Sequence, residues 1–484
     1  MTAAWLLWSC AGLLMAAGPS GTPGTPLREQ SEKSTLATGL ACVYQKDTSS
    51  PTTVVGLFAA GGKSAVPPGL DGLAYLTTRL TLEIPDEGMV QDLMSQATRL
   101  SLLCSEDFSA VLIECLSENL EEALRVAAKI IQDPLITGLR IGRTKEMMKL
   151  YGRSEEDESI VAAHNAVMKA FFPEAGYGTA LYGTEESLGA IDRKDTIAFY
   201  RRFFSKPNLF FCVETDLEKQ PVQALLEKYF AKFPDGEAGG IASTPPAFPS
   251  NRDIGLPKDT KQTYIGRAFA LPAPDAPNQA KGDLLETLLG KGPGSRLWGL
   301  RIAEKLAYNV DAHVTWTKSS GILEAYLQTE NAKSARASEA LDRTLADLQD
   351  KGITDEELRT TKTMAKARLL RSAEAKASRL RTVGLYEVLG LGHGHLTGIS
   401  EALDKVTLED MNAFIREALS PDRILRVTVG PARPGRPDDP IRQRGPVLAY
   451  SAIFLYDAKR FLDSSAARAK SSLAMSGYCW TSVL

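Results

Sequence analysis

Apolar positions along the chain recur with two spacings, and the two alternate. RLSLLCS (99–105) and SAVLIEC (109–115) are short apolar runs joined by a polar turn, which predicts a β-hairpin. AYNVDAHVTW (307–316) and ILEAYLQT (322–329) repeat that pattern, and VVGLFAAGG (54–62) and QTYIGRAFALP (262–272) each predict a strand opening a block. Between them lie helical spacings. SENLEEALRVAAKII (117–131) sets Leu120, Leu124, Ala127 and Ile131 along one face, and AKSARASEALDRTLADL (332–348) is amphipathic in the same way. Thr354-Asp355-Glu356-Glu357 is a capping box that starts another helix.

The pattern occurs twice. DRKDTIAFYRRFFSKPNLFFCV from Asp192 and TLEDMNAFIREALSPDRILRVT from Thr407 align with one constant offset. Asp192 falls on Thr407, Asp195 on Asp410, Phe199 on Phe414 and Ser205 on Ser420. Both segments predict an N-capped helix with an acid at its third position, then a turn and a strand. Duplication explains this better than chance. Each copy reads as an α+β domain with one layer of helices on a sheet.

The blocks span 36–232 and 262–430, with a leader (1–35), a linker (233–261, rich in Gly, Pro and Ser) and a tail (431–484) around them. Two domains suit 484 residues. With 44% hydrophobic and 24% charged residues and a net charge of −3, the chain has no basic field to attract nucleic acid. AAWLLWSCAGLLMAAG (Ala3–Gly18) resembles a secretory signal without basic residues before it, which points to export; a misassigned start or a membrane anchor are the alternatives. No other stretch reaches the roughly 20 apolar residues of a membrane span. The six cysteines (Cys10, Cys42, Cys104, Cys115, Cys212, Cys479) form no Cys-x-x-Cys, so buried thiols are expected, with a Cys104–Cys115 disulfide as the exception.

The duplicated block, the hairpin leading into SENLEEAL, and GPGSRLWGLRIAEKLAYNV (292–310) together resemble the M16 (pitrilysin/insulinase/mitochondrial processing peptidase-like) family over residues 36–430. The resemblance implies two M16-type domains in a clam-shell arrangement. Active members bind zinc through a His-x-x-Glu-His helix and a second, distal glutamate. Two imidazoles on adjacent turns hold the metal and the intervening Glu activates its water. Laid on that motif, GLAYLTTRL (72–80) puts Tyr75 and Arg79 at the histidine positions, Thr78 at the general base, and Glu155 at the distal carboxylate. Arg79 is expected to pair with Glu155 or Glu156 where a metal would otherwise sit. The chain has four histidines (His164, His313, His393, His395) and none forms a His-x-x-Glu-His. His393-Gly394-His395, in a glycine-rich loop between helices without an acidic neighbour, is not expected to hold metal. GKGPG (290–294) reads as a turn before a helix, not a phosphate loop.

In the second block, Arg301 and Tyr308 match an Arg and a Tyr that, in the family, point towards the zinc and hold substrate. A guanidinium and a phenol can donate to a peptide carbonyl and steady a developing oxyanion. The resemblance thus implies a chain inactive by itself, without a cofactor of its own. It would be the substrate-binding subunit of a heterodimer whose zinc-bearing partner cuts an extended peptide. The alternative is a structural subunit of the bc1 core-protein type.

Overall fold

The computed structural model describes residues 31–173, 176–239, 245–247 and 251–432. The signal-like segment and most of the tail lie outside the described residues, as do Cys10 and Cys479. The first block contains strands β1 (Glu32–Thr35), β2 (Ala41–Lys46), β3 (Thr52–Ala60), β4 (Arg99–Cys104), β5 (Phe108–Leu116) and β6 (Leu209–Thr215). Its helices are α1 (Leu73–Leu80), α2 (Glu87–Ser95), α3 (Leu120–Gln132), α4 (Gly138–Asp157), α5 (Ser159–Phe171), α6 (Glu185–Ala190), α7 (Arg193–Phe203) and α8 (Lys219–Tyr229). The second block contains β7 (Arg252–Pro257), β8 (Gln262–Leu271), β9 (Asn309–Trp316), β10 (Gly321–Glu330) and β11 (Leu425–Gly430). Its helices are α9 (Ala276–Gly290), α10 (Trp298–Ile302), α11 (Ser334–Lys351), α12 (Asp355–Ser372), α13 (Lys376–Leu389), α14 (His395–Lys405) and α15 (Leu408–Ala418).

The duplication is visible in the topology. One sheet has the order β1-β2-β6-β3-β5-β4 and the other β7-β11-β8-β10-β9, so the second repeats the first without β1. In each, the entry strand runs parallel to the last strand (β2 with β6, β7 with β11) and the remaining pairings are antiparallel. Both expected hairpins form, β4 with β5 and β9 with β10. The three capping boxes close as expected: Asp192 with Asp195 starts α7, Thr354 with Glu357 starts α12, and Thr407 with Asp410 starts α15.

Three expectations need correcting. The linker at 233–261 contains β7, and the leader at 1–35 ends in β1. Both are short edge strands stabilised by their ladders rather than by their own composition. VVGLFAA does not open its block, because β1 and β2 precede it. The expectation of buried thiols holds among the described residues, where Cys104 and Cys115 are free and buried, as are Cys42 and Cys212. Cys104 faces Ser109 at the turn while Cys115 lies near the other end of β5, so the hairpin register separates them.

The third correction concerns layers. Each sheet is covered on both faces, not one. The first sheet packs one face on its own α1, α3, α7 and α8, through Leu76, Leu124, Ile131, Phe203 and Leu226. Its other face receives α13 from the second block, where Leu380, Val383 and Tyr386 meet Val43, Phe58 and Leu112. Reciprocally, α5 of the first block lays Ala163, Val167 and Phe171 on Tyr264, Ala268 and Val427 of the second sheet. The two repeats therefore exchange a helix, and burying each such apolar side chain contributes roughly 1.5–3 kcal/mol. Among the described residues no helix is long and apolar enough to cross a membrane.

Candidate functional site

Helix α1 carries the three positions where the family resemblance would put zinc chemistry. The helix packs on α4, which bears Glu155, and all but one of its residues are buried. Tyr75 is buried with its ring edge-on to Tyr182 at 4.7 Å. The Thr78 hydroxyl is spent on the Ala74 carbonyl at 2.8 Å. Arg79 forms an ion pair with Glu83 at 2.9 Å, in the turn that follows α1. Glu155 is buried near the end of α4. These side chains do not fit a zinc ion. A threonine already hydrogen-bonded to its helix cannot act as a carboxylate base, and a guanidinium in place of a neutral imidazole repels a dication.

Arg301 and Tyr308 lie on the second block. GKGPG makes the expected turn, with Gly292 and Gly294 in the left-handed region at φ 84° and 92°. Backbone N–H groups of Arg296 and Leu297 then return to the carbonyls of Leu288 and Leu289 and aim the short α10 outward. Arg301 is exposed, its guanidinium 4.9 Å from the centre of the Trp298 ring, a cation–π contact that holds it flat. Tyr308 immediately precedes β9 and is 52% exposed. Its backbone N–H donates to the Gln328 carbonyl, and its hydroxyl donates to Glu330 at 2.5 Å. That hydrogen bond and the Glu330 charge raise the phenol above its ordinary pKa. Both donors are thus restrained and face solvent.

The glycine-flanked histidines are placed differently from each other. His395 begins α14, buried against the Tyr386 ring and bonded through Nε2 to Gln279. His393 does have an acidic neighbour, contrary to expectation: Glu387 lies 3.1 Å from its Nδ1. The two rings have separate partners.

A cluster that sequence reasoning did not assemble lies where α5 meets the second sheet. His164 of α5 puts Nδ1 2.5 Å from Oε1 of Glu324 on β10, and His313, opposite Glu324 on β9, puts Nε2 3.3 Å from the same oxygen. Burial opposes ionisation of Glu324, but the two imidazoles outweigh it and hold the carboxyl well below its usual range. Burial likewise opposes a charge on His313, and Glu324 with Glu286 nevertheless raises its pKa. Next to it, Lys63 is 2% exposed and pairs with Glu106 at 3.5 Å. Asp107 accepts from the Tyr177 hydroxyl at 2.6 Å and from the Lys318 N–H of the second block at 2.8 Å, and burial pushes its pKa up to about 6. The available signal was polar residues inside otherwise apolar segments: His164 in SIVAAHNAVM and Glu324 in GILEAYL.

A duplicated mixed sheet with helices on both faces is the two-domain architecture that the sequence resemblance implies. Family models agree. The model described as insulinase (peptidase family M16) matches residues 41–185, and that described as peptidase M16 inactive domain matches 190–365. The chain belongs to the M16 family. Among curated relatives, the uncharacterized zinc protease YmxG of Bacillus subtilis is 22% identical over 399 residues, 81% of this chain and 96% of its own length. The non-peptidase homolog YmxG of Helicobacter pylori is 24% identical over 380 residues, 77% and 88%. A crystal structure of a peptidase M16 inactive domain from Pseudomonas fluorescens superimposes with a TM-score of 0.76 at 22% identity, covering 84% of this chain and all of that one. A chain of complex III2 from Candida albicans does so with 0.73 at 15%, covering 82% and 95%.

Proposed function

We propose that this chain is the non-catalytic, substrate-binding subunit of a two-chain M16 peptidase, paired with a homologue that carries the His-x-x-Glu-His helix. The observation that carries this reading is an asymmetry. The positions for metal chemistry on α1 hold a buried tyrosine, a self-bonded threonine and an arginine, while Arg301 and Tyr308 stay exposed as donors. In the assembled peptidase, Arg301 and Tyr308 donate to backbone carbonyls of an extended peptide, and the Tyr308 hydroxyl exchanges Glu330 for the substrate. Zinc and the activated water belong to the partner. The signal-like segment Ala3–Gly18 supports an exported, periplasmic or extracellular setting.

The test is reconstitution with a zinc-bearing homologue. The pair should cleave peptide and the separate chain should not. Arg301→Ala should lower kcat/KM about 100-fold and Tyr308→Phe about 10-fold, both without loss of pairing. Full activity in both variants would end the substrate-binding role. The likeness to a chain of complex III2 favours one second reading, a scaffold subunit. A stable complex with a homologue that neither cleaves nor binds unfolded peptide would establish it.

A further inference from the structure

The buried triad between the repeats has the composition of a metal site. The ring nitrogens of His164 and His313 and a carboxylate oxygen of Glu324 all lie within 4.8 Å of one another. Two imidazoles and one carboxylate are a donor set that zinc uses, with bonds of about 2.0–2.2 Å. Tetrahedral bonds of that length separate neighbouring donors by roughly 3.3 Å. Of the observed separations from Glu324 Oε1, that of His313 at 3.3 Å matches this value and that of His164 at 2.5 Å falls short of it, so His164 would have to draw back by a rotamer adjustment.

Two further observations point to a ligand rather than a finished hydrogen-bond network. Oε2 of Glu324 is buried without a hydrogen-bond partner, although a carboxylate in an apolar setting normally has every lone pair engaged. His313 is 23% exposed while the other two donors are closed off, which leaves one side for a metal to enter and for water to complete the coordination.

We propose that His164, His313 and Glu324 form a binding site for a zinc-class divalent ion, remote in sequence from the family's zinc helix, that clamps the two repeats together. The first repeat supplies one ligand through α5 and the second supplies two through the β9–β10 hairpin. Binding displaces any protons shared between the carboxylate and the imidazoles, and the ion is held in place of those hydrogen bonds. The role is structural, because the ion would tie a helix of the first repeat to the sheet of the second.

The experiment uses the full chain alone, stripped with a chelator, so that it is independent of any partner or peptide. Titration calorimetry with zinc should give one site per chain, and cobalt should give the visible absorption of a tetrahedral ion. Zinc should raise the unfolding temperature of the parent chain. His313→Ala should weaken binding about 100-fold or more and abolish both the spectrum and the thermal shift. His313→Gln serves if the alanine variant does not fold. Glu324→Gln should behave as the histidine variants do. No stoichiometric binding, or unchanged affinity in His313→Ala and Glu324→Gln, would overturn the site without touching the pairing with a zinc-bearing homologue. Loss of that pairing would leave the site standing.

Discussion

The two exchanged helices solve one problem with different chemistry. Helix α13 buries Arg379, 1% exposed, against Glu214 and Asp47 of the first repeat. Its Nε and Nη2 go to Glu214 at 3.0 and 2.7 Å, Nη2 also reaches Asp47, and Nη1 donates to the carbonyls of Ala373 and Glu374. A guanidinium is a permanent cation with five donors in a fixed fork, so Arg379 keeps its charge and its donors at any ordinary pH, while burial pushes the Glu214 carboxyl up to about 8. Helix α5 instead presents His164 to Glu324, with His313 on the other side. Imidazoles change charge near neutrality and bind metals. The two exchanged helices of a duplicated fold thus hold a permanently charged connection in one half and an exchangeable one in the other.

The largest effect should come from the fixed seam. Arg379→Ala leaves Glu214 and Asp47 without their hydrogen-bonded cation, with only the more distant charge of Lys376 on the same helix, and removing one partner of a buried pair costs about 3–5 kcal/mol. Urea unfolding should show that loss. A change below about 1 kcal/mol would mean that water replaces the guanidinium and that the seam is not closed.

Much of this architecture was legible beforehand, for physical reasons that differ by element. Capping boxes and hairpins are local, so Asp192, Thr354 and Thr407 were readable from neighbours a few residues away. The strand at 252–257 was not, because its pairing with β11 lies far along the chain and its surroundings have loop composition. The double-sided sheets had left a trace that was not used. VVGLFA is buried along its whole length, as expected of a strand covered on both faces, whereas a strand under one helix layer would alternate. The site divides in the same way. Arg301 and Tyr308 are recognisable by family spacing within a short segment. His164 meets Glu324 only after two repeats fold together, and no local rule could pair residues 160 positions apart.

A second prediction probes the α5 side. Tyr177, just beyond α5, and Lys318 of the second repeat both donate to Asp107. Burial raises the Asp107 carboxyl from 3.8 to about 6, so the folded state holds this proton more tightly than the unfolded chain. The associated stability is fully present below about pH 3.8 and is lost as pH rises through about 6, on the order of 3 kcal/mol. Asp107→Asn keeps both contacts, since its carbonyl can accept the Lys318 N–H while its amide donates to the Tyr177 oxygen. The variant should therefore lose the slope between pH 4 and 6 and be the more stable chain at pH 7. Parallel profiles for the two chains would show that Asp107 stays ionised through the range.

The smallest effects test how closely each helix lies on its sheet. Helix α13 contains Gly384, where an added Cβ would come within 2.2 Å of the Phe58 ring, and at Gly56 of β3 one would come within 2.7 Å of Leu380. Helix α5 contains no glycine and stands on Ala163 and Val167. Gly384→Ala must push α13 outward, costing about 1–3 kcal/mol by overpacking against a gain of up to about 1 from helix propensity. Gly142→Ala on α4, where a Cβ meets nothing within 4 Å, keeps only the gain and should stabilise by about 0.5–1 kcal/mol. Opposite signs from the same substitution would locate the cost at the α13 seam. If both variants are stabilised, the first sheet yields under α13, and the contrast between a locked and an exchangeable helix loses its packing basis.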